Sequence, residues 1–523
     1  MSQTKTVDED SVFGSLGFTE GVNAAVAEVA KLYLEDPIPW VIGYSGGKDS
    51  TATLALVWLA LRSIDPEQRT KPVYVISNDT LVENPVVSSW VERSVTAMAD
   101  AAEEEELPIE AHLLHPAVDD TFWVNLIGKG YPAPRHSFRW CTDRLKITPA
   151  NRFIKRVVKS NGEAIVVLGA RKAESQTRAK RMKELEQRQV RSLLTPNANL
   201  PNALVYTPIS DWTNDDVWLF LMQTPNPWGY DNKALLAMYR GASADNECPL
   251  VVDTSTPSCG DSRFGCWVCT LVEKDKSMSA MIQNDSEKRW MLPLLELRDA
   301  FKVGDDRDMR DFRRLTRKLH LFPNGESLVH GPYTQEVRAE WLRRLLEAQT
   351  WIRANGGDDV ANIELITAAE VHEIRRIWVF DKHETEDLVP KIFEEATGEA
   401  FDGPSFGARF AVQPDDLAEL EDLCDGDPLM YEMTRNLIDV AQGFRTQTRR
   451  SGLLEELSST IEQSWYADEA DALAWAQQGR MTKRGRVDLT ESTDSNVPFD
   501  LTESKDSDAS EISETPVLFG EGV

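Results

Sequence analysis

Short apolar runs at 40–44, 72–77, 109–115, 164–168 and 203–206 alternate with longer stretches whose apolar residues recur at helical spacing. Short runs of that kind suit buried strands and the longer stretches suit helices. Strands separated by helices predict an α/β fold built on a parallel, doubly wound sheet. Helices are expected at 19–34 with Thr19 as N-cap, at 51–61, at 86–105, after 139–149, and at 214–222, where Thr213 caps and acids fill the first turn. Past Asn226-Pro227 the pattern turns irregular. From about 277 helices dominate, at 279–301, 307–319, 334–354, 368–380, 387–395, 415–421, 428–443 and 451–465. No internal repeat is visible. The predicted organisation is a disordered leader at 1–12, a nucleotide-type α/β domain at 13–225, a cysteine-rich segment at 226–290, a C-terminal α-helical domain at 291–470 and a disordered acidic tail at 487–523.

A chain of 523 residues exceeds one typical core, which agrees with more than one domain. Its net charge of −29 argues against non-specific adhesion to nucleic acid by the whole molecule, but leaves room for a local basic groove. Part of the excess sits at 488–523, where ten acids face the single Lys505. Such a stretch buries too little apolar surface to fold; it either solvates the molecule or offers acids to a basic partner. No apolar run approaches the length of a bilayer span and the N-terminus lacks a signal-peptide core, so the expectation is a cytoplasmic protein without a membrane. Six cysteines are too few for a secreted disulfide scaffold, and five of them fall between Cys141 and Cys269, which suggests a site.

The chemistry starts at Ser45-Gly46-Gly47-Lys48-Asp49-Ser50, between the first strand and its helix. Glycines let backbone approach an anion, N–H groups at the helix start point toward it, and Ser45, Ser50 and Lys48 add hydroxyls and a cation. The common GxxxxGK[ST] loop is excluded, because it needs Gly at Ile42 and Ser or Thr at Asp49. Strand four ends in Gly169-Ala170-Arg171-Lys172-Ala173-Glu174-Ser175-Gln176-Thr177-Arg178, beyond the same sheet edge. Arg171, Lys172 and Arg178 can neutralise a leaving pyrophosphate, Glu174 can orient an arginine, and Asp49 can help hold Mg²⁺. The basic run 178–183, with Arg188 and Arg191, is either a nucleic-acid backbone contact or a solvated helix, since Glu184 and Glu186 dilute it.

Cys266-Trp267-Val268-Cys269 places two thiols on one tight turn, with Cys259 just before them and Cys141 arriving from the far side of the nucleotide domain. Four such thiolates suit a [4Fe–4S] cluster or Zn²⁺, and ligand type alone does not separate these. Cys248 is a spare thiol that can replace a ligand or carry sulfur, and Cys424 reads as inert. Packing and capping account for His372 and His383 more simply than metal binding.

The loop at 45–50, Arg139-Trp140-Cys141 with Lys146 and Pro149, the segment 169–178, and Pro208-Ile209-Ser210-Asp211-Trp212 with Asp216-Val217-Trp218 together resemble the phosphoadenylylsulfate reductase branch of the PP-loop ATP pyrophosphatases, which have an adenine nucleotide α-hydrolase-like sheet. Within it, 122–132 and 257–269 resemble the DndC family, the sulfurtransferases of bacterial DNA phosphorothioation. The likeness is specific from about 34 to 289, weaker in the helical half and absent from the tail. It implies ATP bound by Ser45, Gly46, Gly47, Lys48, Asp49, Ser50, Gly169 and Arg171, catalysis by Lys48, Asp49, Arg171, Glu174 and Arg178, and a [4Fe–4S] cluster on Cys141, Cys259, Cys266 and Cys269. It further implies DNA as substrate, a cysteine desulfurase as sulfur source and the other Dnd proteins as partners. Two departures set the chain apart from the reductases: Trp140-Cys141 stands where cluster-bearing reductases have adjacent cysteines, and nothing after Cys424 supplies their tail redox cysteine.

The resulting expectation is an enzyme that adenylates a backbone phosphate oxygen, releasing pyrophosphate, so that sulfur can displace AMP. Thiolation of a tRNA base uses the same activation on a base oxygen, and a reductase-like activity is the other enzymatic alternative. A DNA-docking assembly subunit with a structural metal is the alternative from a different class.

Overall fold

The computed structural model describes residues 11–14, 16–242, 264–406, 411–412, 414–445 and 450–490, with the side chains of 414–415 and 481–490 left aside. Among the described residues two compact units emerge, the first formed by the chain up to Ala117 and by Pro134–Arg298, the second by Val118–Ala133 and the described residues from Asp299 to Thr490.

The first unit is built on one sheet of β1 (Trp40–Gly43), β2 (Val73–Asn78), β3 (Ile109–Leu114), β4 (Ala164–Val167), β5 (Thr195–Pro196) and β6 (Ala203–Tyr206). Their order is β3-β2-β1-β4-β6-β5. The expected parallel core is present: β1 pairs with β2 and β4, β2 with β3, and β4 with β6, all parallel. The sheet is nevertheless mixed, because β5 joins β6 antiparallel at the edge. Two residues give no readable period, and Pro196 reads as a breaker although an edge strand tolerates it.

β1, β4 and β6 are buried almost throughout, as strands covered on both faces must be. Trp40 lies opposite both Val73 and Ile165, so the carboxyl ends of β1, β2 and β4 fall at one edge. The connecting helices are α1 (Phe18–Leu34), α2 (Lys48–Ser63), α3 (Pro85–Glu104), α4 (Thr148–Asn161), α5 (Gln176–Glu186) and α6 (Asn214–Gln223). Asn84 caps α3, and Thr213 with Asp216 forms a reciprocal capping box on α6, as its sequence predicts. Ser11 reaches the same Asp216 carboxylate at 2.5 Å. In the stretch that reads as irregular, α7 (Asn232–Gly241) is a regular helix capped by Asp231.

The expected helix at 279–301 is divided into α8 (Lys276–Asn284), a 3₁₀ segment (Ser286–Met291) and α9 (Leu292–Phe301). Asp285 causes the break: its carboxylate accepts the Glu287 N–H and starts a new turn. In the second unit, α10 (Gln335–Asn355), α11 (Ala368–Arg376), α12 (Leu388–Thr397), α13 (Pro414–Leu423), α14 (Pro428–Gly443) and α15 (Leu453–Ser464) match predicted helices, while α16 (Glu469–Thr490) was not anticipated and runs into the stretch read as tail.

The helix expected at 307–319 does not form; only a 3₁₀ turn, Arg307–Met309, is present there. Its arginines find partners elsewhere: Arg310 donates to the Gly331 carbonyl at 2.9 Å, and Arg313 pairs with Asp311 and with Glu432. Buried guanidiniums that need several acceptors outweigh local helix propensity. The same unit uses two indole N–H groups as struts. Trp123 donates to the Leu365 carbonyl at 2.6 Å, and Trp378, in the π-turn Ile377–Asp381 that continues α11, donates to the Ile127 carbonyl at 3.0 Å.

Candidate functional site

The loop after β1 is shaped by its glycines. Gly46 holds φ +75°, and a Cβ there would lie 2.4 Å from Val91 Cγ2, so only glycine fits. Gly47 caps α2 with extended backbone. Its carbonyl accepts both the Ser50 hydroxyl at 3.0 Å and the Thr51 hydroxyl at 2.8 Å. Ser50 Oγ in turn accepts the Ser45 N–H at 3.2 Å and lies 3.1 Å from Ser45 Oγ. The loop is thus closed on itself, with the start of α2 at the sheet edge.

From this loop a ladder of alternating charge crosses to the end of β4. Lys48 Nζ lies 3.1 Å from one Asp49 oxygen, and Arg171 Nε donates to the other at 2.7 Å. Arg171 also reaches the Trp212 carbonyl, and its backbone N–H donates to Glu174 at 3.0 Å. The second Glu174 oxygen holds the Arg178 guanidinium. The five residues expected to be catalytic therefore form one connected series. Gly169 permits it: a Cβ there would meet the Asp49 carbonyl at 2.8 Å and the Ser50 nitrogen at 3.0 Å.

Burial disfavours the Lys48 charge, but Tyr239 and Asp49 more than offset it and hold the ammonium above the ordinary lysine range. Tyr239 lies on α7, with Lys48 Nζ 5.5 Å from its ring centroid. An aromatic residue in an apparently irregular stretch gave no signal for this role. Both Asp49 oxygens rest on cations, so as placed it holds Lys48 and Arg171 in position.

The basic run is divided. α5 has no buried residue, so Arg178, Lys180, Arg181 and Lys183 lie on a surface helix, whereas Arg191 is tied to Asp36 at 3.0 Å. Lys172 is neutralised by Asp211 at 2.9 Å and Glu186 at 2.6 Å.

Beyond β2 a second constellation assembles. Trp267 N–H donates to the Val82 carbonyl at 3.0 Å, and Cys269 N–H to the Cys266 carbonyl at 3.0 Å, which docks the Cys266-to-Cys269 turn on the β2 loop. Thr80 Oγ1 lies 3.5 Å from Cys266 Sγ, and Lys146 pairs with Glu83 at 3.2 Å. Cys141 lies within electrostatic reach of both Cys266 and Cys269. Burial pushes the Cys141 and Cys266 thiols up. Burial opposes the Lys146 charge, yet Glu83 and the thiols keep its ammonium above the usual range.

The two constellations share a sheet edge and an aromatic link, since Tyr239 packs against Phe264 with ring centroids 4.9 Å apart. Cys259 and the spare Cys248 lie outside the described residues. Among the described residues no group of three or more His, Cys, Asp or Glu is arranged to hold a metal ion. The three thiols present fit an iron–sulfur cluster or zinc in ligand type, and they leave the donor set to be completed from elsewhere. Cys424 is buried, as an inert thiol should be, and His372 packs against Phe401. His383 instead pairs with Asp439 at 2.7 Å.

Residues 39–245 match the family model of the phosphoadenosine phosphosulfate reductase domain. This part of the chain is a PP-loop domain of that reductase-like type, with a fold suited to ATP-dependent chemistry. An uncharacterized protein of Methanocaldococcus jannaschii, MJ0066, is 26% identical over 204 residues, which cover 39% of this chain and 35% of that protein. The chain thus spans about a third of that relative's length. Among solved structures, the U34-tRNA thiolase NcsA of Methanococcus maripaludis with its [4Fe-4S] cluster aligns at 15% identity and TM-score 0.27, over 42% of this chain and 71% of that one. The FMN adenylyltransferase of Candida glabrata aligns at 14% identity and TM-score 0.26, over 46% and 64%. Scores this low give neither enzyme's activity any weight for the PP-loop domain. No helix among the described residues is long and apolar enough to cross a membrane.

Proposed function

We propose that this protein is an ATP-dependent sulfurtransferase that activates a backbone phosphate oxygen of DNA for replacement by sulfur. The observation that carries the reading is the charge ladder from Lys48 to Arg178 at the same sheet edge as Cys141, Cys266 and Cys269. The first half suits pyrophosphate departure; the second gathers thiols suited to sulfur chemistry. The likeness of 122–132 and 257–269 to the DndC family supports DNA as the acceptor.

In the proposed reaction a non-bridging DNA oxygen attacks the α-phosphorus of ATP, and pyrophosphate leaves. Lys48, Arg171 and Arg178 stabilise its charge, with Asp49 and Glu174 fixing their positions. A sulfide-level nucleophile then attacks the DNA phosphorus, and AMP departs carrying the original oxygen. Mg²⁺ enters with ATP as part of the substrate. Cys141, Cys266 and Cys269, with Cys259, would hold a [4Fe–4S] cluster that shapes the site beside the activated phosphate. A cysteine desulfurase would supply the sulfur as a persulfide, from which a thiol reductant releases sulfide as a disulfide forms, and other Dnd proteins would complete the assembly.

The test uses the full chain purified without oxygen, with ATP and Mg²⁺, and cells carrying Ser45→Ala. Pyrophosphate release in vitro, and loss of sulfur-linked dinucleotides from nuclease-digested DNA of the variant cells, are expected. Absence of pyrophosphate, or sulfur found on a nucleobase of tRNA, would overturn the reading. Iron and sulfide analysis of wild type against Cys266→Ala separates a cluster from zinc without reference to activity.

A further inference from the structure

α15 carries two stripes one residue apart. Leu453, Leu457, Thr460 and Ser464, at i, i+4, i+7 and i+11, are buried or half-buried, and the helix packs against α14. Leu454, Ser458, Ile461 and Trp465 repeat that spacing about 100° further round and are exposed. Leu454 is 78% exposed, Ile461 45% and Trp465 47%. The first stripe serves the packing of α15; the second has no covering element among the described residues.

Trp475, on α16, extends the exposed stripe. It is 47% exposed, and its ring lies edge-on to Trp465 with centroids 6.2 Å apart. Both indoles rest against Tyr466, at 5.1 and 6.0 Å, and Tyr466 is buried in a cluster with Leu328 and Ala472. The two tryptophans therefore stand on a fixed base and offer preformed apolar surface. Apolar residues scattered singly need no explanation, but a continuous stripe with anchored aromatic rings has the make-up of a docking face.

Charge selects the occupant. From Leu453 to Gly479 the chain has six acids, Glu455, Glu456, Glu462, Asp468, Glu469 and Asp471, and no lysine or arginine. Glu469 pairs with His330 at 2.8 Å, whereas the other five make no ion pair among the described residues. Glu455 and Glu462 each follow an exposed apolar residue, Leu454 and Ile461, and so border the stripe along its length. On the inward side of α15, Arg313 and Arg317 balance Asp311 and Glu432, and His383 pairs with Asp439. Even with Arg450 and Arg480, which flank the stretch in sequence, the surplus is negative. Such a face disfavours nucleic acid and anionic lipid and favours an apolar segment rich in lysine and arginine. Leu454 to Trp465 spans about three helical turns, or about 16 Å, which a facing helix with the same apolar spacing would match.

We propose that this face docks a basic amphipathic helix of a partner protein, with Leu454, Ile461, Trp465 and Trp475 as apolar anchors and Glu455 and Glu462 meeting its cations. The proposal is independent of the reaction assigned to the PP-loop domain.

The probe is a fluorescein-labelled helical peptide of leucine and lysine, about 18 residues long, with leucines at i, i+3, i+4 and i+7 spacing. It is titrated into the full chain by anisotropy, and hydrogen–deuterium exchange locates the contact. Binding that weakens with salt, and slowed exchange in peptides covering 453–465 and 472–478, are expected. The same peptide with glutamate for lysine should bind about tenfold more weakly or worse. Leu454→Gln combined with Ile461→Gln should raise Kd about tenfold or more, as for the loss of two aliphatic contacts. Glu455→Gln combined with Glu462→Gln should flatten the salt dependence. Leu454→Gln alone, at the most exposed position, provides a milder variant should the apolar pair fail to fold, with a smaller rise expected. Protection confined to other segments, equal binding of the glutamate peptide, or unchanged Kd in the folded variants would overturn the proposal. So would sedimentation showing self-association that Ile461→Gln abolishes, since the face would then belong to a second copy of the chain.

Discussion

Arg171 donates to Asp49 at 2.7 Å across 122 residues of sequence, and this contact joins the loop after β1 to the loop after β4. Asp49 is shared with Lys48 and Arg171 with the Trp212 carbonyl, so neither side chain can shift alone. A lysine at 171 would keep the charge but lose the planar fork that serves both acceptors. Arg171→Lys and Asp49→Asn should each slow pyrophosphate release by about 100-fold, the scale seen when one positioned transition-state donor is lost. The double variant should be little worse than the poorer single one, because both remove one coupled unit. Full additivity in a double-mutant cycle would show the two residues acting independently.

Gly46 gives a prediction about packing and strain together. In Gly46→Ala the new methyl group meets Val91 Cγ2 at 2.4 Å, and the residue must also hold φ +75°. Val91→Ala removes the first penalty and leaves the second. Thermal melts of the four-member cycle should therefore show Gly46→Ala costing about 1 kcal/mol less in the Val91→Ala background. A cost equal in both backgrounds would mean that backbone strain dominates.

Gly169 differs because its neighbours are backbone atoms. The Asp49 carbonyl at 2.8 Å and Ser50 nitrogen at 3.0 Å cannot rotate away, so Gly169→Ala must displace the start of α2. About 1–3 kcal/mol of destabilisation is expected, with weaker ATP binding by equilibrium dialysis. Wild-type ATP affinity in a folded Gly169→Ala protein would rule out close β4–α2 packing as a requirement of the loop.

These residues also show what a sequence can disclose. The loop at 45–50 and the buried strands were legible because glycine spacing and apolar runs are local signals. Arg171, Glu174 and Arg178 were legible because the parallel sheet brings strand ends to one edge. Tyr239 was not, since its importance arises only where α7 returns to Lys48. Thr80 and Glu83 meet Cys266 only because the Cys266-to-Cys269 turn docks on the β2 loop, and Glu83 meets Lys146 from yet another part of the chain. The failure at 307–319 has a related cause: helix-favouring arginines were recruited by distant carbonyls and carboxylates, an outcome no local pattern contains.

Lys382 makes the pH dependence of stability testable. Its ordinary value is 10.5, and burial, with Arg338 and Arg317 nearby, lowers it to about 7 in the folded chain. Below about 7 the ammonium is charged in both states, and the folded state bears the full penalty. Between about 7 and 10.5 the unfolded chain binds more protons at this site, so its contribution to stability rises with pH. Lys382→Met removes the titration while keeping a flexible apolar side chain. The variant should melt higher than wild type at pH 6, and the difference should narrow steadily as pH approaches 10. Comparing variant with wild type at each pH cancels the titration of other groups. A difference in Tm that stays constant from pH 6 to pH 10 would mean that packing, not the buried charge, sets the effect of this residue.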